Sequence, residues 1–170
     1  MLTSMIKNPA TAPLFVARVV GSTGDGYGQL ALAWGTMHLG HGPVGMSLVV
    51  ACKALPALLV LAGGILGDRF RRHTVLAGAE ILAALSWAAL AVCFLTGQAS
   101  LWVVCGLALL AGTARAVFMP AERGIVADLV TPQQRQTANA LLNQSNAAGL
   151  LIGLATAGIV IAAAGPGWAA

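Results

Sequence analysis

Charge is the scarcest property of this sequence. Asp, Glu, Lys and Arg make up 8% of the chain, while apolar residues make up 58%. Soluble domains carry about 25% charged residues, and so few charges cannot cover a surface that faces water. Cysteine is also sparse. Cys52, Cys93 and Cys105 all lie inside apolar stretches without CxxC spacing, which suits small packing residues rather than a disulfide framework. The three histidines, His38, His41 and His73, are too scattered for a metal site. GxxxxGK[ST], GxSxG and HExxH are all missing. Nothing therefore points to a nucleotide-driven motor, a nucleophile-elbow hydrolase or a zinc peptidase, and no cofactor, metal or catalytic residue is expected. The nine basic residues form no run interleaved with aromatics, which excludes nucleic acid as the natural partner. The opening MLTSMIKNPATAPLF lacks an apolar stretch ending in a small-residue cleavage site, so the first long apolar segment is expected to act as the insertion signal.

Long apolar runs fill the rest of the chain. A bilayer core of about 30 Å is crossed by roughly 20 apolar residues in a helix. Five segments approach that length: Pro13 to His38, Pro43 to Leu66, Thr74 to Thr96, Ser100 to Pro120 and Thr137 to Ala164. They are rich in Leu and Ala and lack period-two alternation, so helices are predicted. In lipid the backbone must satisfy its own hydrogen bonds, which favours the same answer. The expected fold class is an all-α integral membrane bundle of about five helices with lipid as its solvent.

The connections alternate in charge. Leu39–Gly42 and Gly97–Ala99 carry no Lys or Arg. Gly67–His73 reads GDRFRRH, Ala121–Gln136 holds Arg123 and Arg135, and Lys7 precedes the first span. Basic short loops stay cytoplasmic, so the amino terminus is expected inside and the carboxyl terminus outside. Ala- and Gly-rich spans with minimal loops suit a bacterial inner membrane. The final GPGWAA reads as a turn and the opening of another helix, so the chain is expected to be a truncated piece.

The end of the second span carries the most specific wording. Gly64, Asp68, Arg69 and Arg72 fall in the spacing G-x-x-x-D-R/K-x-G-R/K-R/K, with Arg71 and His73 departing from it. This resembles the first signature of the major facilitator superfamily, a loop between the second and third helices. Gly24-Asp25-Gly26 and Lys53-Ala54-Leu55-Pro56 resemble elements of its drug and siderophore exporters. In the fifth span Gly149, Gly153 and Gly158 match the glycines of G-x-x-x-G-P-x-x-G-G, while Leu154 stands in place of Pro and Ala157 in place of Gly. The resemblance covers nearly the whole chain. It implies an incomplete six-helix half of a twelve-helix secondary transporter, with residues 1–96 as one three-helix repeat and 97–170 as part of its inverted partner. Export of a drug, siderophore or other amphipathic molecule is implied, with a missing carboxyl-terminal half as partner. A small complete five-span assembly protein and an intramembrane enzyme are the alternatives.

Ionisable groups inside a membrane are costly and usually functional. Asp25 lies about 18 Å from the inner end of its span, at a rise of 1.5 Å per residue. Lys53 lies about 15 Å from the outer end of its own, which puts both near the centre. An Asp25–Lys53 pair is therefore expected, with Asp25 as a proton- or substrate-coupling carboxylate. Arg18, Glu80 and Arg115 are expected nearer the cytosol as an inner-gate cluster, in which Glu80 pairs with either arginine. A polar stripe of Gln136, Asn139, Asn143 and Asn146 on the fifth span is expected to line a cavity or to bond a neighbouring helix, with the cavity preferred and Gln29 of the first span adding to its wall.

Overall fold

The computed structural model describes residues 12–59, 72–164 and 168. The described chain forms five α-helices. These are α1 (Ala12–His38), α2 (Gly42–Ala54), α3 (Arg72–Thr96), α4 (Leu101–Leu129) and α5 (Arg135–Ala164). A 3-10 segment, Leu55–Leu59, continues α2, and another, Pro132–Gln134, precedes α5. There is no strand among the described residues. The protein is an all-α membrane protein. Three stretches, His73–Thr96, Leu101–Ile125 and Pro132–Ala164, are long and apolar enough to cross a membrane. The apolar Gly42–Leu58 stretch is shorter. At 27 residues α1 has the length, but it carries Arg18 and Asp25 within it.

Local chemistry sets the ends. After α1, Gly40 takes φ +81° and donates its N–H to the Met37 carbonyl, while the His41 N–H reaches Thr36. This paired closure needs a left-handed residue, which glycine supplies without a side-chain clash. Gly97, also left-handed at φ +67°, ends α3 with a single bond, its N–H on the Cys93 carbonyl. The two uncharged loops then meet, with His41 Nε2 3.0 Å from the Ala99 carbonyl oxygen. At the opposite end, Thr131 and Gln134 form a reciprocal capping box, with Pro132 at the first helical position.

The fourth helix corrects the expected boundary. It does not stop at Pro120 but runs through it to Leu129. Proline removes one N–H from the ladder, a loss that membrane helices absorb through neighbouring groups. Nine residues assigned to a loop therefore belong to the bundle.

Close packing uses small residues. A methyl added at Gly149 would strike the Val19 carbonyl, and one at Gly153 the Thr23 carbonyl, so the main chains of α1 and α5 touch. Gly26 faces the same seam from α1. This is how membrane helices gain contact where no hydrophobic drive exists between them. Gly158 has open space beside it, and Ala157 is the buried residue instead. On the other side, Gly112 of α4 lies against the Lys53 carbonyl of α2. Trp87 and Phe94 of α3 cover Gly28 and Gly35 of α1. Toward the short-loop end, Leu32, Val49, Leu90, Phe94, Val104, Cys105 and Ala108 form a dry core. Large apolar side chains such as Val16, Leu85, Trp102 and Ile159 point outward, as lipid-facing residues do.

Candidate functional site: a charged cavity at mid-depth

Away from that core, α1, α3 and α4 separate around a cavity of about 930 Å³. Its wall is mostly apolar. It nevertheless includes Arg18 and Asp25 of α1, Lys53 of α2, Glu80 of α3, and Arg115 and Glu122 of α4. Three cations face three carboxylates, so the site is formally neutral. That balance matters, because an unpaired charge at this depth costs several kcal/mol.

Helical spacing aims these groups. Arg18, Ser22 and Asp25 follow at i, i+4 and i+7 on α1, and Arg115, Phe118 and Glu122 at i, i+3 and i+7 on α4, each set on one face. Asp25 is the midpoint of α1 and Arg115 the midpoint of α4. The two meet there, with Arg115 Nη2 3.4 Å from Asp25 Oδ2. One layer further from the short loops, Arg18 Nη1 lies 3.5 Å from Glu122 Oε2, with Arg18 only 7% exposed. The Arg18 Nη2 donates to Asn146 Oδ1 of α5. Ser22 Oγ lies 2.9 Å from that same oxygen and 2.7 Å from the Arg18 carbonyl.

The expected pairings are therefore rearranged. Among the described residues, Asp25 takes Arg115, and Lys53 instead stands over the Trp87 ring, 4.9 Å from its centroid. Such a cation–aromatic contact offsets part of the cost of a buried ammonium. Arg18 takes Glu122 rather than Glu80, which is exposed on the cavity wall. The reason is the length of α4: measured from Pro120, Arg115 belongs near the inner end, but measured from Leu129 it is central. The continuation of α4 also brings in Glu122, which the loop assignment had hidden.

On the fifth helix the stripe does not line the cavity, and one member of it bonds a neighbouring helix. Gln29, Asn139 and Asn143 are exposed, and neither they nor Asn146 line the cavity. Asn146 instead sits at the edge of the face that α5 packs on α1, where it accepts from Arg18 and Ser22, and from Arg115 Nη2 at 3.5 Å. Gly64, Asp68 and Arg69 of the signature loop lie outside the described residues, and Arg72 opens α3. No group of three or more His, Cys, Asp or Glu among the described residues is placed to hold a metal ion.

A helical membrane bundle with a charge-balanced cavity between its helices suits a polytopic membrane transporter. Comparison with known families agrees: residues 3–170 match the model of the transmembrane secretion effector family. The chain belongs to that family of major facilitator transporters. It is similar to the uncharacterized MFS-type transporter YvqJ of Bacillus subtilis (strain 168), at 30% identity over 137 residues. The match takes in 78% of this chain and 32% of YvqJ, so the chain spans about a third of the length of that relative.

Proposed function

We propose that the chain is the amino-terminal part of a secondary active transporter that exports a drug, siderophore or other amphipathic small molecule. In this reading it lies in a bacterial inner membrane with its amino terminus in the cytosol, and transport requires a carboxyl-terminal half. Asp25 is the coupling carboxylate, and Arg115 is its counter-ion. The observation that carries the reading is the central Asp25–Arg115 pair opening on a mostly apolar cavity of about 930 Å³. A buried charge pair that only held helices together could be replaced by apolar residues at little or no cost. One that lines a cavity can exchange protons or substrate with water. The apolar wall with Lys53 on Trp87 and an exposed Glu80 suits a molecule that is greasy with polar groups.

Packing supports the two-repeat reading. The first helix of each expected repeat packs on the second helix of the other, α1 on α5 and α4 on α2. Such reciprocal contact is what an inverted repeat produces. The exposed Gln29, Asn139 and Asn143 then belong to the wall that faces the carboxyl-terminal half. The test is Asp25→Asn in the full-length gene product, assayed for substrate accumulation in cells. Coupled efflux should be lost while the protein still reaches the membrane in normal amount. Efflux equal to the unmodified protein would remove Asp25 from the mechanism.

A further inference from the structure

One atom in this network has two partners. Arg115 Nη2 lies 3.4 Å from Asp25 Oδ2 and 3.5 Å from Asn146 Oδ1. Both distances are longer than a tight charge-assisted hydrogen bond of about 2.8 Å, so a displacement of less than about 1 Å would close one contact and open the other. The two acceptors belong to different helices, Asp25 to α1 and Asn146 to α5.

The Asn146 oxygen is already in demand. Arg18, Ser22 and Arg115 all point donors at it, and a carboxamide oxygen offers two lone pairs. A third donor must displace one of the others. Ser22 is the one that can leave without loss, since its single hydroxyl proton has a second acceptor, the Arg18 carbonyl at 2.7 Å. Ser22 is fully buried, and no buried side-chain polar atom among the described residues lacks a partner.

We propose that Arg115 has two seats, Asp25 and Asn146, and that Asn146 is the positioning residue through which the charge on Asp25 reaches α5. This rests on the coupling role given to Asp25 above and adds the path by which it is felt. With Asp25 charged, Arg115 is held across the α1–α4 gap. When a proton from water neutralises Asp25, that attraction is lost. Arg115 then closes on Asn146, and Ser22 turns to the Arg18 carbonyl. Arg18 stays on Glu122, so two guanidinium groups come to share one α5 oxygen. The charged groups facing the pair are Arg18 from α1, Lys53 from α2, Glu80 from α3 and Glu122 from α4.

The test uses the full-length gene product in detergent and in bilayers. Asp25→Asn should lower the melting midpoint, by about 2–4 °C for each kcal/mol lost in a chain of 150–250 residues and by less in a longer one. Adding Asn146→Asp to it supplies Arg115 with a carboxylate from α5 and should restore the midpoint, whereas adding Asn146→Leu should lower it further. Coupled transport should stay absent in the restored double variant, because Asp25 is still missing. A double variant no more stable than Asp25→Asn alone would overturn the proposal. In the unmodified protein, solid-state NMR should show an Arg115 guanidinium to Asn146 carboxamide contact that strengthens on acidification, and a contact of constant intensity would overturn it equally. If the unmodified protein fails to transport at all, the proposed function falls, while the stability and NMR readings still decide the two-seat arrangement.

Discussion

The four helices α1 to α4 form two unlike regions along their length. Toward the short loops they are clamped: Leu32, Val49, Leu90 and Val104 are fully or almost fully buried and no charge enters. Past that core α1, α3 and α4 part, and the space is bordered by six charged side chains, with ion pairs at looser distances. The first region is held by contact, which has one good geometry. The second is held by charge, which falls off slowly with distance and tolerates several arrangements. A bundle built this way is firm at one end and adjustable at the other.

Several substitutions probe that contrast. The largest effect is expected from Arg18→Met, which strands Glu122 beside the cavity and should cost about 4 kcal/mol. Unfolding of the solubilised protein by denaturant measures it, and the double change Arg18→Met with Glu122→Leu should recover most of the loss. Next, Leu90→Ala in the clamped region should cost about 3 kcal/mol through the cavity it leaves. If Leu90→Ala proved as mild as a surface change, the dry core would not be the clamp. Gly153→Ala forces the α1 and α5 main chains apart and should cost about 2 kcal/mol. Gly158→Ala meets open space and should be neutral or stabilising by up to about 1 kcal/mol, from helix propensity. Equal effects at the two glycines would break the assignment of the α1–α5 seam. The smallest loss is expected from His41→Ala, about 1 kcal/mol for the hydrogen bond to Ala99 that ties the two short loops.

Much of the bundle was readable from apolar run length. The ends of α1, α3 and α5 fall within two residues of where caps and composition put them. The mid-helix place of Asp25 was also legible, because no proline interrupts α1 after Pro13. The error lay at Pro120. A proline after an apolar run reads as a stop, and in water it usually is one. Here helix continues for nine residues beyond it, and that misreading moved Arg115 by more than two turns and left Glu122 in a loop. The wrong partners for Asp25 and Arg18 followed from one boundary. The i, i+3, i+7 spacing of Arg115, Phe118 and Glu122 was the available signal that the helix went on. Residues 139, 143 and 146 form a polar stripe in the sequence but spread over an arc of α5, and only the last borders the packed seam. Composition gives the stripe, and packing decides which member of it turns inward.

The contact between Gly112 and the Lys53 carbonyl has a mechanical consequence. Two rods whose main chains touch at one point cannot slide past each other there, yet either can swing about it. Immediately beyond that point α2 tightens into its 3-10 segment. Movement of α2 against α4 is expected to pivot near residue 53, where the main chains come closest. An ammonium carried at a fulcrum keeps its position while the lever moves.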